Sequence, residues 1–160
     1  MGQLTHTTQK VEDQVGGVYA EIYTHEGATP QEIANGAGYT KCTAISSDGV
    51  SNGATADGAN SKITITKTGV YKMECSLSFT GDTGNVNWFG SIFVDGVEQD
   101  KIHFERKIGS GGDYGSTHFN GIVSVSSVPV DVDLRFRHDD TVPDDITVRY
   151  ANLNVNRVGV

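Results

Sequence analysis

The segment "GVYKMECSLSFTG", residues 69–81, constrains the fold more than any other part of the chain. Tyr71, Met73, Cys75, Leu77 and Phe79 occupy one parity, and Lys72, Glu74, Ser76 and Ser78 occupy the other. Successive side chains of a strand point to opposite faces, so this pattern is a half-buried strand with a defined inner face. A second segment, "VPVDVDLRFRHDD", alternates in the same way. Val128, Val130, Val132, Leu134 and Phe136 face inward, and Asp131, Asp133, Arg135 and Arg137 face outward. Two such strands need a second layer to cover their apolar faces.

The rest of the chain supplies it. "VYAEIY" (18–23), "YTKCTAIS" and "SKITITKTGVY" read as strands, the last with Ile63 and Ile65 inward. "VNWFGSIFVDGVEQDKIHFERKI" carries Asp95-Gly96 between two apolar runs, a strong hairpin signal. "THFNGIVSVSS" alternates through Phe119, Gly121, Val123 and Val125. In "ITVRYANLNVNRV" the inner parity passes from Ile146, Val148 and Tyr150 to Leu153 and Val155, which places a bulge near Ala151-Asn152. The connections "SSDGVSNGATADGAN" and "GSGGDYGS" read as polar, glycine-rich loops. "TPQEIANG" offers Thr29 as N-cap, Pro30 at N1 and a closing Gly36, which fits one short helical turn or a plain loop end equally well. Twenty glycines against three prolines suit strands and tight turns. The expected architecture is all-β and antiparallel, a two-sheet sandwich or a barrel of eight to ten short strands. A 160-residue chain buries roughly 70% of its unfolded surface, enough for one domain. Residues 1–17 are polar and lack periodicity. They read as an extended arm preceding a domain at 18–160, with Leu4, Val11 and Val15 as its candidate anchoring side chains.

Chemistry is sparse in this sequence. A formal charge of −8 with scattered Lys and Arg argues against nucleic acid, whose phosphates need clustered cations. No apolar run has the length of a membrane helix, and "MGQLTHTTQK" has neither a signal-peptide core nor the threonine or serine of a myristoylation motif, since His6 stands there. No nucleophile elbow, HExxH or phosphate loop occurs, so the expectation is a protein that is not an enzyme and holds no cofactor. "RHDD" with Asp144 and Asp145 reads as a solvated acidic turn, with a calcium site as the alternative. The five histidines are dispersed and read as surface residues, His103 or His118 being the candidates for an interfacial role. Cys75 lies on an inner parity and reads as a small buried hydrophobe; a disulfide to Cys42 stays open.

The order of "TKTGVYKMECSLSFTG", "FGSIFVDGVEQD", "STHFNGIVSVSSVPVDVDLRFRH" and a closing "ANLNVNRVGV" resembles the trimeric jelly roll of the complement globular head and tumour-necrosis-factor superfamily. The resemblance spans Tyr39 to Val160 and comes nearest to the form found in bacteriophage head-decoration and fibre-tip proteins. One departure is Pro129-Val130, where the family often has Gly-Asp. The resemblance implies a two-sheet jelly-roll sandwich that forms a homotrimer, one sheet of each subunit packing on its neighbours. Surplus aromatics are then the candidate interface: Trp88, Phe89, Phe104, Tyr114, Phe119, Phe136 and Tyr150, taken as a group. The function it implies is a trimeric decoration (cement) protein of a phage capsid, located in the virion and binding a major capsid protein through the arm. The alternative is a receptor- or carbohydrate-binding fibre tip that meets a host surface glycan through loops 46–60 and 109–115.

Overall fold

The computed structural model describes residues 17–36, 38–109 and 112–160. Twelve strands run in chain order: β1 (Tyr19–His25), β2 (Gln31–Ile33), β3 (Thr40–Lys41), β4 (Ser47–Asn52), β5 (Ala54–Asp57), β6 (Lys62–Ile65), β7 (Gly69–Gly81), β8 (Val86–Val94), β9 (Val97–Ile108), β10 (Gly115–Val125), β11 (Val130–His138) and β12 (Asp144–Gly159). The first sheet has the order β10-β7-β12-β1-β4, with β2 added on β12; the second has β5-β6-β11-β8-β9, with β3 added on β11. Every pairing is antiparallel. Because sequence neighbours such as β7 and β8 lie in different sheets, the chain crosses between layers repeatedly, and the result is a jelly-roll sandwich.

The alternations that defined the strands also define the core. Tyr71, Met73, Cys75 and Phe79 from β7 meet Val132, Leu134 and Phe136 from β11 across the interlayer space, all essentially without solvent contact. Phe79 is central to this packing, with ring centroids 5.7 Å from Phe104, 6.2 Å from Phe136 and 6.4 Å from Trp88. Gly90 lies where Phe104 crosses β8, and a Cβ there would collide with the Phe104 ring. The β8–β9 hairpin closes with positive φ at Asp95 (50°) and Gly96 (78°), the type I′ geometry that matches strand twist. Cys42 and Cys75 are both buried free thiols. Burial pushes Cys42 up to about 11, against the pull of the Ala44 and Ile45 backbone, and raises Cys75 further.

Four details differ from the sequence expectation. "TPQEIANG" forms no helical turn: Gln31–Ile33 pairs with Asp144–Ile146 at the open edge of β12, which puts Ile33 into the core. Gln31 secures the segment by donating to the Lys41 carbonyl (2.6 Å) and accepting from the Thr43 amide (2.8 Å). The polar segment 46–60 is mostly strand, with β4 pairing with β1 and β5 with β6. Backbone pairing needs no apolar side chains at a sheet edge, so alternation gave no warning. The bulge in β12 falls at Val148–Tyr150 rather than at Ala151-Asn152, which turns Tyr150 outward. His138 is fully buried: its Nε2 donates to the Ile33 carbonyl (2.9 Å) and its Nδ1 accepts from the Asp140 amide (3.2 Å). The arm candidates Leu4, Val11 and Val15 lie outside the described residues.

Candidate functional site

The seven aromatics expected to share an interface fall in three separate places. Trp88, Phe104, Phe119 and Phe136 belong to the core of a single subunit and leave no surface for a neighbour. Their candidacy is corrected on that ground: on the inner parity, sandwich packing consumes them. Phe89 lies on the outer face of the second sheet, half-buried under Arg137. Tyr114 is exposed just before β10. Only Tyr150 stands on the outer face of the first sheet, and it stands there among residues that sequence reasoning did not select.

That face is a regular lattice. Cross-strand register aligns Tyr19, Asn156, Lys72 and Ile122 in one row, then Glu21, Asn154, Glu74 and Asn120. The next row holds Tyr23, Asn152, Ser76 and His118, and the last holds His25, Tyr150, Ser78 and Ser116. Formal charges are confined to the first two rows, and they are tied down. Lys72 Nζ meets Glu74 Oε2 at 2.6 Å, and that hydrogen bond holds the Glu74 carboxyl below its ordinary range. Asn152 donates to Glu21 Oε2 and Asn154 donates to Asn152 Oδ1, both at 3.0 Å. In the last two rows, small serines between Tyr23, His25 and Tyr150 leave a hollow of about 810 Å³. The His25 and Tyr150 rings pack edge to face at 5.3 Å along its wall.

Four exposed large apolar side chains stand on this face. Tyr19, Tyr23, Ile122 and Tyr150 all project from it and are 39–55% exposed. Tyr23, His25 and Tyr150 adjoin one another at one end of the sheet, while Tyr19 and Ile122 stand at opposite ends of the row that holds Lys72. Exposed rings beside small polar side chains and paired charges are features that interfaces share. The signal was present in the sequence as the outer parity: Ser76 and Ser78 in β7 and Asn152, Asn154 and Asn156 in β12 stand where a wet strand carries Lys, Glu or Arg.

The outer face of the second sheet is built differently. Its rows are Arg137–Phe89–Glu105, Arg135–Ser91–His103 and Asp133–Phe93–Glu98. Arg135 pairs with Asp133 (2.7 Å) and covers Phe93 at 4.4 Å from the ring centre. Burial pushes the Tyr39 hydroxyl up, partly countered by Arg137 and reinforced by Glu98, its two neighbours.

The acidic turn is knitted into backbone instead of gathered about a point. Asp139 accepts from the Asn87 amide (2.9 Å) and side chain (2.6 Å), which lowers its pKa, and Asp144 Oδ1 accepts from the Thr83 (3.2 Å) and Asp145 (2.9 Å) amides. Among the described residues no three His, Cys, Asp or Glu side chains are grouped to hold a metal, and no helix is long and apolar enough to cross a membrane.

No family model matches the chain, and no curated protein matches it in sequence. Solved structures do match in shape. Eiger TNF from S. frugiperda superposes with a TM-score of 0.57 at 9% identity, covering 90% of this chain and 94% of its own. Murine APRIL, in a crystal structure at pH 5.0, superposes with a TM-score of 0.56 at 11% identity, covering 89% of this chain and 99% of its own. The fold is a TNF-like jelly roll. At these identities the likeness is one of architecture alone.

Proposed function

We propose that this chain is a non-enzymatic structural protein that assembles as a homotrimer through the outer face of its first sheet. The observation that carries the reading is that exposed Tyr19, Tyr23, Ile122 and Tyr150 share one sheet face whose charges, Lys72, Glu74 and Glu21, are already tied to partners. An obligate interface resembles a core cut in half and often exceeds ~2,000 Å². A four-stranded lattice with its rings along β1 and β12 and serines beside them on β7 and β10 suits such close approach. Trimer formation is also what the resemblance to the jelly-roll superfamily implies.

Within that reading the protein is a decoration protein of a bacteriophage capsid, anchored to the major capsid protein by residues 1–17. The support is the sequence resemblance to phage head-decoration jelly rolls, together with a polar arm ahead of the domain. Two experiments test it. Mass spectrometry of purified virions should find the protein at a copy number matching capsid symmetry; its absence from virions overturns the assignment. Deleting residues 1–17 should leave the trimer intact while abolishing binding to undecorated capsids, and a truncated protein that still binds them refutes the anchoring role.

A further inference from the structure

The outer face of the second sheet contains a recess whose chemistry differs from that of the sheet around it. Its floor is Phe89, with the Arg137 guanidinium over the ring, 3.8 Å from the ring centre. Tyr39 flanks the same guanidinium at 5.4 Å. The far wall comes from an irregularity in β9. Between the Ser91–His103 and Phe93–Glu98 pairs, β8 advances by one intervening residue and β9 by four, so β9 bows over residues 99–101 while Ile102 stays in the core. His103 closes this bow by hydrogen bonding through Nδ1 with the Asp100 carbonyl at 2.5 Å. Glu105 stands directly across Phe89 from Arg137 in the strand register. The recess has a volume of about 360 Å³, near the small end of the roughly 300–1,000 Å³ range of ligand sites.

Among the described residues no carboxylate forms an ion pair with Arg137. Its neighbour Arg135, by contrast, is spent on Asp133. A guanidinium held over one ring and hydrogen-bonded to the Tyr39 hydroxyl is fixed in orientation, so the rest of its N–H edge is a pre-set donor. Facing it are carboxylate acceptors, Glu105 on one side and Glu98 and Asp100 on the other. An anionic ligand meets these three carboxylates, and a cationic ligand meets Arg137. The ligand that fits is neutral, donates and accepts through several hydroxyls at once, and has an apolar face for Tyr39 and the rim of Phe89.

We propose that this recess is a binding site for one neutral sugar ring, a hexose unit of a glycan. Adjacent hydroxyls accept from the Arg137 edge and donate to Glu105 on the opposite side. The ring's C–H face rests against Tyr39. The sheet, not the loops 46–60 and 109–115, is then the recognition surface. This inference rests on the self-association reading in one respect: the first-sheet face is the one covered, which leaves the second outward.

The test is an NMR titration of the full chain with the methyl glycosides of glucose, galactose and mannose, and with glucuronate as the anionic control. At least one neutral glycoside should give saturable shifts at Tyr39, Phe89, Arg137 and His103, and glucuronate should bind more weakly. Arg137→Lys removes the planar donor fork, Glu105→Gln removes the acceptor's charge, and each should weaken binding about tenfold or more. Absence of saturable shifts with all three glycosides overturns the site. So do shifts confined to the first-sheet hollow, or wild-type affinity in Arg137→Lys. The mass of the protein in the same samples separates the two readings. An assembled protein that binds no sugar removes this site alone, and a monomeric protein that binds sugar removes the assembly alone.

Discussion

The two outer faces of this sandwich use the same alternation to opposite ends. On the second sheet the outward parity is Asp131, Asp133, Arg135 and Arg137 in β11, facing His103, Glu105 and Lys107 in β9. Its large side chains are already covered, Phe93 and Phe89 each lying beneath an arginine. On the first sheet the outward parity is Ser76, Ser78, Tyr150, Asn152, Asn154 and Asn156, and among the described residues no cation lies over its tyrosines. Both faces have apolar groups. Only one has finished dealing with them inside the subunit, and the unfinished face is the one that invites a copy of itself. The lesson is that the partner of each exposed aromatic, rather than the number of aromatics, separates a solvated sheet from an interface.

The largest expected effect lies between the faces, where they share a core. Phe136→Ala removes a fully buried ring packed against Phe79 and Phe104 and should cost about 3–5 kcal/mol. Urea denaturation should show this as a midpoint shift. A loss below about 1 kcal/mol would mean that Phe136 is not the core residue described.

A charge placed on each face in turn sharpens the comparison directly. Tyr23→Glu should weaken self-association by about 2–4 kcal/mol, because an unpaired carboxylate would be buried against a neighbour. Phe89→Glu, on the second sheet, should leave the assembled mass unchanged. Both proteins should retain their β-sheet circular dichroism, since neither side chain belongs to the interior cluster. If the second variant dissociates and the first does not, the faces have been assigned the wrong way round.

The smallest effect belongs to the charged face. Burial raises the Asp131 carboxyl, but hydrogen bonds from Lys62 (2.8 Å) and Thr64 (2.7 Å) outweigh it, and the net shift is downward from 3.8. A lowered carboxylate pKa stabilises the fold above the ordinary value, and this contribution disappears as pH falls through the folded-state pKa. Because the pair is partly solvated, the contribution should be well under ~1 kcal/mol. Asp131→Asn should therefore flatten the acid limb of the stability profile slightly below about pH 4. An unchanged limb would remove the pair from the stability account.

Much of the fold was legible from parity alone. β7, β10 and β11 carry their inner faces in plain alternation, and Asp95-Gly96 announced the β8–β9 hairpin with its backbone conformation. β2, β4 and β5 were not legible because they are short edge or near-edge strands, specified by backbone pairing and by Gln31, Asp48 and similar polar contacts. The candidate site was read poorly for a different reason. Size alone marks large aromatics as interface candidates, yet Trp88, Phe104, Phe119 and Phe136 sit on inner parities and fill the core. Tyr19, Tyr23 and the asparagine column of β12 become a surface only when β1, β12, β7 and β10 are laid side by side, and that order depends on long-range topology.

The central claim is that the first-sheet face joins subunits, and light scattering on the full chain tests it most directly. The account predicts a mass three times the 17.1 kDa of one chain, stable on dilution through the micromolar range. A 17.1 kDa species at every concentration would contradict it.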